Sequence, residues 1–203
     1  MTPESRRWAE LAALDDVALA VGLLRDTPTH ENRTAEQLER WARTALDFGD
    51  ELAADPGLDL DVRVEETARP APPGEVLLAE YHHRRHTVTV HTDGLARLAD
   101  VVTRAGWTED AAPERLRAAA VAHEVVHHRL HGPAGRALRL RLDHTAARLG
   151  PLRLRGHVVG ADEIVAHRFA HRRSGLRRSP LLLTAALAAS LSRPSFPVVA
   201  LGG

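Results

Sequence analysis

Residues 121–133, VAHEVVHHRLHGP, constrain the fold of this chain more than any other stretch. Four histidines and one glutamate lie in a largely apolar run that stops at Gly132-Pro133. The run reads as the end of a helix from about Glu114 to His131, with Pro113 at its start, where the missing N–H has no intrahelical partner to lose. Gly132 offers a left-handed cap and Pro133 a residue that cannot continue the helix. His123 and His127 are four residues apart, so they sit one above the other on one face. Leu116, Ala120 and Leu130 share that stripe, which turns both imidazoles toward the interior. Two buried neutral imidazoles are an awkward pair to satisfy without a metal ion. Glu124 is about 100° further round the helix, where it reaches the edge of a metal site without being a ligand. This is the HExxH arrangement, two zinc ligands and a general base.

Zinc in a catalytic site takes a third protein ligand and keeps a fourth position for water. The downstream stretch GADEIVAHRFAHRRSG, residues 160–175, reads as a helix between two glycines. Glu163, Ala166, His167 and Ala170 share one of its faces, and the alanines let a second helix approach closely. Glu163 is the favoured third ligand, with His167 and Asp162 as the alternatives.

The remaining elements carry no visible chemistry. Residues 4–24 read as one helix, and Thr34-Ala-Glu-Gln37 as a capping box opening a second that runs to about Ala54. LDLDVRVEE (58–66) alternates like a strand, and ARPAPPGE is a proline-rich loop. VLLAEYHHRRHTVTVHTDG reads as two strands joined by a polar turn, with Val88 and Val90 on one face and His82, His83 and His86 solvated around the turn. Asp93 is expected to cap a helix through Ala105. His128 and His131 lie off the ligand stripe. The apolar tail SRPSFPVVALGG (192–203) is expected to be extended, either as a free end or lying in the cleft.

All 27 basic residues are arginine, which with the abundance of alanine fits a compositional bias, so no nucleic-acid partner is expected. Residues 1–80 hold 8 Arg against 18 Asp and Glu, and residues 81–203 hold 19 against 9. Attraction between the two parts within one fold is the expected use of that asymmetry. The chain has no cysteine, which removes disulfides and thiolate ligands. No signal peptide is recognisable and the longest apolar run, LLLTAALAASL, is too short for a bilayer, so a cytoplasmic protein without membrane contact is expected.

HEVVHHRLHG followed by EIVAHRFA resembles the gluzincin metallopeptidases, especially their small ImmA/IrrE-like (minigluzincin) branch. There the HExxH helix is followed by a helix opening E-x-x-A-x-x-F-A, matched here by Glu163, Ala166, Phe169 and Ala170. The resemblance covers roughly residues 75–175. It implies an α+β, zincin-like fold: a small, mainly antiparallel sheet, an active-site helix and a second ligand-bearing helix, with helices preceding them. The chain then divides into an N-terminal helical segment (1–70), a zincin-like catalytic domain (71–180) and an apolar C-terminal helix and tail (181–203).

The resemblance further implies one zinc ion per chain held by His123, His127 and Glu163. Glu124 acts as general base in the hydrolysis of a peptide bond, in the manner of an endopeptidase. A protein or peptide substrate would lie extended against an edge strand near 86–92. Tyr81, His144, His157 and His171 are the candidates for a further oxyanion donor. Two positions depart from the family pattern. His167 stands where Asp or Asn is common and cannot supply that group's negative charge. Arg129 stands where an apolar residue is usual. The alternatives are a catalytically silent regulatory or binding protein on the same scaffold, and a non-haem iron oxygenase using the same two histidines and glutamate.

Overall fold

The computed structural model describes residues 2–58, 60–68, 76–149 and 152–191. The tail 192–203, and with it the expectation that it lies in the cleft, falls outside the described residues. The first expected helix is two: α1, Pro3–Ala12, and α2, Asp16–Arg25. The break comes at Asp15, whose carboxylate accepts the Ala18 N–H at 2.7 Å and caps α2. An aspartate that satisfies a free helix-start amide competes well with continuing the previous helix. Helix α3, Ala35–Ala54, starts where the capping box predicts, with the Thr34 hydroxyl accepting the Gln37 N–H at 3.2 Å.

Three short strands follow: β1, Arg63–Thr67, β2, Ala79–His82, and β3, Thr87–His91. They form one sheet in the order β1-β3-β2. β2 and β3 are the antiparallel hairpin expected from sequence, with Tyr81 opposite Val88. β1 runs parallel to β3, so this sheet is mixed where a mainly antiparallel one was expected. Val88 and Val90 are fully buried on its core face.

Helix α4, Thr92–Arg104, begins one residue before Asp93, which sits in its first turn instead of capping it. Helix α5, Pro113–Leu130, is the HExxH helix. Its end differs from expectation. Gly132 has φ −105°, so no left-handed cap forms, and the last turn is tightened by short bonds from His131 N to His128 O and from Gly132 N to Arg129 O. Pro133 opens helix α6, Pro133–Leu142, at the position where proline is best tolerated. A second hairpin, β4, Thr145–Leu149, and β5, Leu152–Arg155, leads to helix α7, Ala161–Ser174, and then α8, Pro180–Leu191. The fold is α+β, and no helix among the described residues is long and apolar enough to cross a membrane.

Helix α7 is the centre of the packing, held between α5 and α3. Small residues make that possible: Ala42 and Ala45 on α3 and Ala161, Ala166 and Ala170 on α7 are all fully buried. Gly49 on α3 meets α7 so closely that an added Cβ would stand 2.8 Å from Arg168 Cβ. The two buried tryptophans with long-range bonds fasten distant segments, Trp8 Nε1 to Ala186 O at 3.2 Å and Trp41 Nε1 to Leu142 O at 3.0 Å. The acidic first part and basic second part meet as the charge distribution predicts. Arg168 holds Asp50 at 2.7 Å and Asp16 at 2.8 Å, and Arg172 reaches Asp50 at 2.7 Å.

Candidate metal centre

Helices α5 and α7 bring four chemistry-bearing side chains to one place. His123 and His127 stand one turn apart on α5, with ring centroids 4.7 Å apart. Glu163, in the first turn of α7, faces both. One carboxylate oxygen lies 3.4 Å from His123 Nε2 and the other 3.0 Å from His127 Nε2. His167, one turn further along α7, is buried with its ring centroid 4.6 Å from that of His123. Ligand atoms of His123, Glu163 and His167 all lie within 4.8 Å of one another, a group that could hold a metal ion.

Despite the 3.0 Å approach, His127 Nε2 has no hydrogen-bond partner, and neither has the buried Nδ1 of His167. Buried polar atoms left without partners are rare and call for a cause. Donors that come close yet do not point at one another are what a shared ion between them would leave behind. Imidazole nitrogens with one carboxylate are also the donor types zinc prefers. The residues therefore fit a metal of that kind.

Electrostatics reinforce the arrangement. Burial alone would raise the pKa of Glu163, but the two imidazoles against its oxygens hold it well below the usual carboxylate range. Burial opposes the charged form of His127, yet the Glu163 carboxylate prevails and lifts its pKa above the ordinary value. His167 behaves oppositely. Burial, with the neighbouring His123, pushes it down to about 3, so it is a neutral ring at any ordinary pH.

Glu124 lies beside this group and takes no part in it as a ligand. Burial raises its pKa above the ordinary carboxylate value, against the pull of His123 and His127. The backbone N–H of Tyr81, on strand β2, donates to its carboxylate and orients it. Nothing in the sequence marks that bond, because it depends on how β2 docks on α5.

The centre opens into a cavity of about 360 Å³. His123, Glu124, Glu163 and His167 form its polar end, while residues 76–79, Leu98 and Leu183 supply apolar walls from the approach to β2, from α4 and from α8. The residues expected to flank a bound chain shift accordingly. Strand β3, within the stretch 86–92 expected to be an edge, has neighbours on both sides; β2 and the segment before it form the edge beside the cavity. The alternative ligand Asp162 turns away toward His157, 3.8 Å from its Nε2. Of the oxyanion candidates, His144 packs on Trp41, the Tyr81 ring packs on His128, and neither these nor His157 and His171 line the cavity among the described residues.

No family model matches the chain, and no curated protein and no solved structure matches it.

Proposed function

We propose that this chain is a zinc-dependent metallopeptidase of the gluzincin, ImmA/IrrE-like kind, cleaving within a protein or peptide substrate. The observation that carries the reading is the meeting of His123, His127 and Glu163 with Glu124 turned to the same cavity. One zinc ion per chain would be held by the two histidines and Glu163, and would supply the Lewis acidity that acidifies water and polarises a carbonyl. Glu124 does the proton work. Its raised pKa makes it a stronger acceptor than an ordinary carboxylate. The same carboxyl group then returns the proton to the leaving amine. An extended substrate adds as a strand along β2, and the apolar cavity walls receive its side chains.

A second reading rests on one observation, the position of His167. A structural zinc site is closed by four protein ligands, whereas a catalytic one keeps an open position. The neutral His167 ring lies against His123 and belongs to the group that could hold an ion. If all four side chains ligate, the chain is a metal-holding scaffold without turnover, regulatory or binding in role.

Glu124→Gln separates the two. For the peptidase, a peptide-library digest shows cleavage by the zinc-loaded wild type and none by the variant, with bound zinc unchanged. No cleavage by the wild type, together with a four-coordinate spectrum of the cobalt-substituted protein that reverts on His167→Ala, establishes the scaffold. Iron in place of zinc on elemental analysis moves the centre to the oxygenase class.

A further inference from the structure

A second gathering of imidazoles lies outside this centre. The turn joining β2 to β3 carries His83 and His86 onto the last turns of α5, where His128 and His131 stand. His83 Nδ1 is 3.1 Å from His128 Nδ1. The Tyr81 ring stacks on His128 with centroids 4.3 Å apart and planes 12° from parallel. Its hydroxyl meets His86 Nδ1 at 3.2 Å. The ring of His131 lies 5.5 Å from that of His83, and the ring of His86 lies 6.2 Å from that of His128. His83 and His86, expected to be solvated around the turn, therefore form one cluster with His128 and His131 of α5.

Two features set the cluster apart from ordinary surface histidines. Among the described residues, the histidines paired with carboxylates are His82, His91, His123, His127 and His157; these four face one another and Tyr81 instead. His86 also has φ +48°, in the left-handed region that glycine or asparagine enters more readily. The turn keeps an imidazole where a smaller residue fits the backbone better.

The spacing identifies what the cluster is suited to hold. Two imidazole nitrogens each about 2.0–2.1 Å from one ion, at ligand angles between about 90° and 110°, stand roughly 2.9–3.4 Å apart. The 3.1 Å between the His83 and His128 Nδ1 atoms falls in that range. Without an ion the same pair shares one proton. On binding, that proton leaves for solvent or for Nε2 of its own ring, and both Nδ1 lone pairs face the ion.

We propose that His83 and His128 form a second, two-donor metal site, open to solvent, for a late first-row transition ion such as Ni2+ or Cu2+. Nitrogen-only donors favour these ions, whereas Mg2+ and Ca2+ require oxygen. Water completes the shell, because His83 is exposed. The site is independent of the peptidase reading.

Calorimetric titration of the untagged, metal-stripped full chain with Ni2+ tests it, using wild type, His83→Asn, His128→Asn and the double variant His123→Ala/His127→Ala. The wild type binds two equivalents. His83→Asn keeps one and weakens the other by more than the roughly tenfold to hundredfold that losing an outer partner costs. His128→Asn weakens the same equivalent, and the double variant keeps it. Should that double variant fail to fold, wild type and His83→Asn chains loaded with a single equivalent of zinc give the same comparison, since the first centre then holds the zinc and the second site is free for Ni2+. A single equivalent in the metal-stripped wild type, or a second one of unchanged affinity in His83→Asn, overturns the proposal.

Discussion

His127 Nε2 stands 3.0 Å from Glu163 Oε1 without hydrogen-bonding to it, while the other carboxylate oxygen stands 3.4 Å from His123 Nε2. One carboxylate thus divides itself between two imidazoles of the neighbouring helix and leaves His127 Nε2 without a well-directed bond. An ion held between the three groups would tighten this joint between α5 and α7.

Zinc should therefore stabilise the fold measurably. A ligand present at about a thousandfold its dissociation constant adds about 4 kcal/mol. For a chain of 203 residues each kcal/mol moves the melting temperature by about 2–4 °C. Thermal unfolding with zinc should lie about 8–16 °C above that with chelator, and His123→Ala should erase the difference. Equal melting temperatures in zinc and in chelator for the wild type refute the centre.

The metal-free protein should weaken in mild acid, and His167 is the reason. Its pKa is about 3 in the folded chain, held down by burial, against about 6.5 when unfolded. The unfolded state then takes up a proton that the folded state refuses, so stability is full above about pH 6.5 and falls as pH drops toward 3. The slope is up to about 1.4 kcal/mol per pH unit. His127 acts with the opposite sign: its raised pKa adds stability that is complete below about pH 6.5 and is lost as pH rises through the higher folded value. Urea unfolding of chelated protein at pH 7.5, 6 and 5 should show the decline, and His167→Gln should flatten it.

Gly49 sets how closely α3 and α7 approach, and here two effects compete. Alanine is the better helix former by about 1 kcal/mol. Its Cβ, however, would stand 2.8 Å from Arg168 Cβ and 3.0 Å from the Val165 carbonyl oxygen, and overpacking of that kind costs about 1–3 kcal/mol. Because the obstacle includes backbone, the clash should prevail. Gly49→Ala should melt a few degrees lower and bind zinc more weakly, since α7 carries Glu163. A melting temperature at or above that of the wild type shows that the helices separate freely.

The α5–α7 pair is legible in the sequence because each helix writes its own period: the four-residue spacing of His123 and His127, the alanines on the Glu163 face, and the glycines at 160 and 175. The hairpin is legible for the same local reason, in the alternation around Val88 and Val90. The parallel pairing of β1 with β3 is not, since nothing within 63–67 names a partner twenty-four residues onward. Helix α6 is hidden because Pro133 stops one helix and starts the next, two roles with one residue. The cavity walls from α4 and α8 and the Tyr81 N–H on Glu124 arise only when distant elements dock. His167 was visible as a departure from a pattern, but its closeness to His123 follows from the helix separation that the small residues permit.

Asp110 offers the last test, because it fastens the cavity wall without touching His123, His127 or Glu163. It is fully buried and accepts from the Arg177 N–H at 2.6 Å, the Arg178 N–H at 3.4 Å and the Arg178 guanidinium at 3.1 Å. These bonds hold the link between α7 and α8, where Leu176 lines the cavity. Asp110→Ala leaves those donors without an acceptor, at a cost of about 1–3 kcal/mol. The melting temperature should fall by several degrees with the zinc stoichiometry unchanged, and hydrogen exchange should quicken at residues 176–179 ahead of the rest of the chain. Uniform acceleration across the chain would mean that this segment is held by the packing of α8 alone. In that case Asp110 contributes only to global stability, and its substitution leaves the shape of the cavity intact.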